Sequence, residues 1–347
     1  MAKISPKDNF MRLVNGGTPE YVPFYTMMGE PYLGEAGDVT MFPSWFEDTS
    51  FQPGGKDKWG VTYAMSEGGV QATMPDTRII MLEDIYDWSK VIKFPEPLDV
   101  DPERMYNEQL KQMNIDRSQS CVKVNPGFSP FGDLTALMGF QGGLTALYTD
   151  PEEVSAMLNA MCDYLMPFVE KTIDVYKPDM WFMGDDTAAK ETPFFSPQIF
   201  HDVFKPIYER LAKPARDRGI PIIFHNCGKM EEFIPDMYDF GVTIFEPLQL
   251  TNDLMAFKKN YKGKASFIGG WDWDVHMPKT YPIYDEEEVR QDIRDTIDKY
   301  SVDGGYAFIG WPISYAGDPN IEALRLIVRD EAHWYGRKVY GYTGDDE

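Results

Sequence analysis

From Cys121 onward, short apolar runs alternate with longer segments whose apolar residues recur at helical spacing. The runs are Cys121 to Asn125, Met180 to Asp186, Pro221 to Cys227, Val242 to Glu246, Ala265 to Gly270 and Gly305 to Trp311. Each is short, rich in β-branched or aromatic residues and bounded by Gly, Pro or Asp, which predicts buried strands. The helical stripes lie between them. One spans Asp133 to Leu147. A long one opens at Asp150–Pro151 and carries Val154, Met157, Leu158, Met161, Leu165 and Phe168 on one face. Others run from the Ser196–Pro197 cap to Gly219, from Met230 to Phe240, from Leu254 to Tyr261, from Glu286 to Tyr300 and from Ile321 to Gly336. Helices between successive strands imply parallel pairing with right-handed crossovers.

The N-terminal third is less regular. Ser5–Pro6 caps a helix through Val14, Gly16–Gly17 ends it, and Tyr21 to Met28 reads as the first core strand. Residues 29–99 form an insertion covering one end of the core, with a hairpin expected between Trp59–Tyr63 and Arg78–Ile80. A helix is expected from Pro102 to Met113. At this length the alternation favours one closed (β/α)8 barrel, a TIM barrel in a single domain over 1–347, with its eighth strand hidden in the irregular third. No G-x-G-x-x-G follows the first strand, which weighs against a dinucleotide-binding sheet.

Composition narrows the classes of function. Acidic residues outnumber basic ones 56 to 33, for a formal charge of −23, so there is no basic face for nucleic acid. No apolar run reaches membrane-spanning length, and the first ten residues lack the apolar core of a secretory signal. Three cysteines argue for a reducing, cytoplasmic setting without a disulfide framework. The 14% aromatic content and 20 Met allow an apolar, aromatic-lined pocket.

Barrel chemistry sits at the C-terminal ends of the strands. The strand Ile222–Ile223–Phe224 ends in His225–Asn226–Cys227–Gly228. Residues at i and i+2 share a strand face, so His225 and Cys227 present an imidazole and a thiol to one point. That is half of a zinc site, or a buried Cys beside a loop-capping His. Asp185 and Asp186, after Gly184, could bind a metal, hold a proton or cap a turn. Glu246 ends the adjacent strand and could supply a third metal ligand. Met27, Met28, Met183, Trp271 and Trp311 lie at other strand ends and would line an apolar substrate pocket. His276 follows Trp271 closely enough to reach the same mouth. No nucleophile elbow or P-loop is present.

Taken in order, several segments resemble the uroporphyrinogen-decarboxylase-like superfamily. They are Gly184–Asp185–Asp186, Ser196–Pro197, Phe204–Lys205–Pro206, Phe224–His225–Asn226–Cys227–Gly228, Pro247–Leu248–Gln249 and Phe267–Ile268–Gly269–Gly270–Trp271–Asp272. The resemblance covers nearly the whole chain and implies a (β/α)8 barrel. Decarboxylases of this superfamily carry an Arg-rich segment after the first strand to hold an acidic porphyrinogen. Here the segment reads Met27–Met28–Gly29–Glu30–Pro31, without Arg, which speaks against that substrate.

The superfamily's other branch consists of zinc methyltransferases working with a corrinoid protein. In it the H-x-C pair ligates zinc, with a further Cys near the last strand. This chain has Trp311–Pro312 there and no Cys after Cys227, so Glu246 is the expected third ligand. The resemblance then favours an O-demethylase component that moves a methyl group from an aryl methyl ether to a Co(I) corrinoid. Zinc or a proton from Asp185 or Asp186 would meet the charge on the leaving oxygen. The expected partners are a corrinoid protein and a small methylated aromatic, with a homodimer left open. The alternatives are a methylcobamide:thiol methyltransferase, a decarboxylase and a non-catalytic barrel.

Overall fold

The computed structural model describes residues 4–26, 39–66, 72–315 and 317–342. Met27 and Met28 lie outside the described residues. Among the described residues there are nine strands: β1 Val39–Met41, β2 Tyr63–Met65, β3 Thr73–Pro75, β4 Val122–Val124, β5 Met180–Gly184, β6 Ile222–His225, β7 Val242–Leu248, β8 Ser266–Gly269 and β9 Tyr306–Phe308. Seven form a curled sheet in the order β1-β4-β5-β6-β7-β8-β9, and every pair in it is parallel.

The N-terminal segment supplies one more parallel position. Phe24 bridges Phe308, with Tyr25 N donating to Phe308 O at 2.8 Å and Phe308 N to Pro23 O at 2.9 Å. The segment read from sequence as the first strand is therefore held at β9 by a single bridge. The strand missing from the sequence pattern is β1, inside the irregular third. Among the described residues, no ladder joins the Phe24 segment to β1.

Side-chain alternation divides the core in two. Trp181, Met183, Ile222, Phe224, Phe245 and Phe267 pack outward against the helices. Met180, Phe182, Ile223, Ile244, Ile268 and Ala307 point inward and pack together with Tyr25. Phe10, Leu13 and Val14 of the Pro6–Val14 helix join this inner cluster. Ser266 Oγ donates to Leu13 O at 3.2 Å, so that helix closes the end where the strands begin. Chemistry is left to the other end.

The insertion lies against the Pro151–Tyr176 helix. Trp45 Nε1 reaches Thr172 Oγ1 at 2.9 Å, Trp88 Nε1 reaches Glu153 Oε1 at 2.7 Å, and the rings of Phe46, Trp59 and Phe94 meet Tyr164. Its hairpin pairs β2 with β3, replacing the expected pairing of Trp59–Tyr63 with Arg78–Ile80. Residues 78–80 leave a turn and pair with no strand among the described residues, and Met81 and Leu82 donate to Leu137 O.

Met183 departs from its expected place for a simple reason of period. It is next to inward-facing Phe182, so it must face outward, and it is buried among helix residues. Met183→Ala should lower stability by about 2–4 kcal/mol in urea titration, as for other large-to-small changes in a packed core. The same change should leave ligand binding at the strand ends unaltered.

Candidate active site at the strand ends

Parallel register assembles the site. Gly184 of β5 lies opposite His225 of β6, and His225 lies opposite Glu246 of β7. A Cβ on Gly184 would approach His225 Cβ to 3.3 Å, so glycine leaves the room the imidazole uses. Glu246 is fully buried, and its Oε2 sits 2.9 Å from His225 Nδ1. A carboxylate there holds the proton on Nδ1, so Nε2 is the nitrogen left to face a metal, which would displace any proton on it. Nε2 in turn lies 3.7 Å from Cys227 Sγ and 3.6 Å from Asp186 Oδ1. Burial opposes a charge on His225, yet Glu246 and Cys227 together raise its pKa well above the usual histidine value.

The loop after β6 is held from three sides. Asp186 Oδ1 accepts from Cys227 N at 2.9 Å, and Gln249 Oε1 accepts from Gly228 N at 2.7 Å. Asn226 exchanges side-chain bonds with Thr187, and Asn252 Nδ2 donates to Gly228 O at 2.9 Å. Gly228 has φ +83, and a Cβ on it would come within 2.6 Å of two backbone oxygens, Ala188 O and Ala189 O. Only glycine fits there.

Asp186, His225 and Cys227 can each turn one ligand atom to a common point, since these atoms all lie within 4.8 Å of one another. A nitrogen, a sulfur and a carboxylate oxygen make a donor set suited to zinc. Behind them, Glu246 Oε1 is buried with no partner among the described residues, so this corner also has an unmet acceptor that favours a nearby cation.

Two sequence expectations change here. Glu246 stands behind the imidazole as its hydrogen-bond partner, and the third group facing Cys227 is Asp186. Asp185 turns away from the cluster. Its Oδ2 accepts from Phe131 N at 2.7 Å and Tyr208 Oη at 2.8 Å, and its Oδ1 accepts from Gly132 N at 2.9 Å. It caps the Pro130–Thr149 helix, although burial pushes its pKa up to about 7 against those donors. Two adjacent carboxylates after a strand must point apart, so only one can join the imidazole.

Two cavities share His225. A chamber of about 210 Å³ is lined by Phe24, Tyr25, Thr26, Cys227, Trp271 and Trp311 among others. A broader cleft of about 670 Å³ lies on the other side, with Tyr63, Phe140, Phe182 and Asp186 in its walls. The two expected tryptophans therefore do meet His225 and Cys227 around one space. Trp271 is fixed by a 3.1 Å bond from Nε1 to Asp292 and by stacking on His276, 5.2 Å away and 11° from parallel. The Arg325 guanidinium lies 4.0 Å from the Trp311 ring centroid. His276 thus backs a pocket wall.

The residues that sequence reasoning missed are Tyr25, Phe182 and Lys123. Lys123 is wholly buried on β4, its Nζ bonded to Tyr25 Oη and 5.0 Å from the Phe182 ring centroid. The signal was available, because a lysine between Val122 and Val124 interrupts an otherwise apolar buried strand.

The chain matches the uroporphyrinogen decarboxylase (URO-D) family over residues 127–309, more than half its length, and belongs to that family. No curated protein matches it. Among solved structures it is similar to a methyltransferase from Methanosarcina mazei, 13% identical, with 95% of this chain and 100% of that chain covered at a TM-score of 0.61. It is also similar to a B12-independent methionine synthase from Shewanella sp. W3-18-1 in complex with selenomethionine, 13% identical, over 82% of this chain and 76% of that one, at a TM-score of 0.45. Among the described residues, no helix is long and apolar enough to cross a membrane.

Asp185→Asn should lower stability by roughly 1–3 kcal/mol, because its amide would turn an N–H toward a backbone donor. Urea titration measures this, and metal content should not change. Gly228→Ala should do the reverse in emphasis, disturbing the His225–Cys227 loop and reducing metal content measured by elemental analysis.

Proposed function

We propose that this chain is a methyltransferase that takes a methyl group from a small aryl methyl ether and delivers it to the Co(I) corrinoid of a partner protein. The observation that carries this reading is the Asp186–His225–Cys227 cluster beside an apolar chamber ringed by Trp271 and Trp311. The fold shared with a chain described as a methyltransferase supports the reaction class. The eight parallel positions from β1 through β9 to the Phe24 segment support reading the sheet as a full (β/α)8 barrel in a single domain.

Asp186, His225 and Cys227 would hold the metal, and Glu246 would orient the imidazole through Nδ1. Zinc bound there supplies a Lewis acid that stabilises negative charge on a leaving oxygen. The chain's own residues do the rest. Trp271 and Trp311 enclose the aromatic ring and strip water from it, and their own fixed positions limit how the ring can lie. The cleft beyond His225 gives the acceptor a route to the methyl group from the other side. A multiply charged anion fits poorly in a chamber walled mainly by apolar side chains.

Purified protein should contain about one zinc per chain, and Cys227→Ala should lose it while keeping its circular dichroism. Glu246→Gln should keep the same stoichiometry with affinity weakened roughly 10- to 100-fold, the usual effect of losing a partner behind a ligand. Cob(I)alamin should be methylated by a methoxybenzene or methoxyphenol in the presence of the protein, read from its absorbance change. Trp271→Ala or Trp311→Ala should raise the substrate concentration needed more than it slows the saturated rate. Methylation from a methylamine, methylthiol or methanol, with none from methoxyaromatics, would refute the aryl-ether assignment.

A further inference from the structure

Most of the barrel interior is apolar, which makes one feature stand out chemically. Lys123 enters it from β4, fully buried, with its ammonium bonded to the hydroxyl oxygen of Tyr25 and 4.2 Å from that ring's centroid. An ammonium donates and cannot accept, so in this pair the lysine donates to the tyrosine oxygen. The tyrosine's own hydrogen must then go to another acceptor. Tyr25 is also a wall residue of the 210 Å³ chamber that holds His225, Cys227, Trp271 and Trp311. A cation-backed hydroxyl on a residue that lines a mainly apolar chamber is a device for stabilising negative charge on oxygen, and such a charge interaction is stronger among apolar walls than in water.

We infer that the Tyr25 hydroxyl is a catalytic hydrogen-bond donor to the leaving aryl oxygen, and that Lys123 is the positioning residue that supports it from beneath. This rests on the aryl-ether reading above. In the transfer the methyl–oxygen bond breaks and the methyl group passes to the Co(I) nucleophile. The bonding pair stays on the aryl oxygen as a phenolate, the Tyr25 hydroxyl donates a hydrogen bond to that oxygen, and Lys123, donating to Tyr25, strengthens the donor. The phenolate then leaves the chamber and takes its proton from solvent. The chamber should therefore prefer phenolate-type oxygens over neutral arenes of the same size.

The test uses 4-nitrophenol, a product-like probe whose ionised form absorbs visible light, bound to the whole protein without a corrinoid partner. Its bound form should be roughly tenfold richer in phenolate than the free probe in the same buffer, the size of effect that one pKa unit represents. Lys123→Met, close in shape but uncharged, should return the bound probe to the ionisation it shows in buffer. Tyr25→Phe should do the same, and it serves if the lysine variant does not fold. A merely structural pair would lose stability in these variants without moving the probe's ionisation. Bound probe that ionises as in buffer, enrichment that survives both substitutions, or no binding in the chamber would each overturn the inference. Enrichment lost in the variants, with no methoxyaromatic demethylated, would sink the aryl-ether reading and leave the charge-stabilising pair standing. Demethylation without enrichment would do the opposite.

Discussion

The contact between His225 Nδ1 and Glu246 Oε2 is what the site depends on. A carboxylate with no exposed surface is expensive unless something offers it a proton or a positive charge. The parallel register of β6 and β7 puts that partner directly opposite, so the pairing of two backbones settles the pairing of two side chains. Once Nδ1 is committed, the ring cannot turn, and Nε2 is left facing Cys227 and Asp186. Asn226, Gln249 and Asn252 then fasten the loop, and Gly228 supplies the one backbone conformation that lets it pass the 188–189 carbonyls.

Chain alternation explains which neighbours take part and which do not. Asp185 and Asp186 are adjacent, yet one caps a helix from inside the protein and the other is 59% exposed beside the imidazole. Phe182 and Met183 divide in the same way, one facing the inside of the curled sheet and one the helices. Each case follows from a period of two along the strand and its continuation into the loop. His225 lies between a smaller apolar chamber and a broader cleft, so a group bound on one side can be approached from the other.

Much of this was legible in the sequence, because strand ends in a parallel barrel are marked by apolar runs that stop at polar residues. His225, Cys227, Trp271 and Trp311 were all placed around one space on that basis. What could not be read were relations between strands. Whether Glu246 sits beside the ring or across from the thiol depends on register, which a single strand's pattern does not carry. Met183 sits at a strand end, but its parity turns it toward the helices. β1 escaped notice since three residues within a Pro- and aromatic-rich insertion give no period. Lys123 interrupts an apolar run, but its meaning comes only with Tyr25, which the curled sheet brings to it from almost a hundred positions away.

The claim at the centre of this account is that the end of β6 holds a metal through one nitrogen, one sulfur and carboxylate oxygen. X-ray absorption at the zinc edge of the purified protein tests that most directly. The account predicts a single sulfur at about 2.3 Å with the remaining nitrogen and oxygen neighbours at about 2.0–2.2 Å, the distances normal for such ligands. A metal shell without sulfur, or protein that takes up no zinc at all, would contradict it.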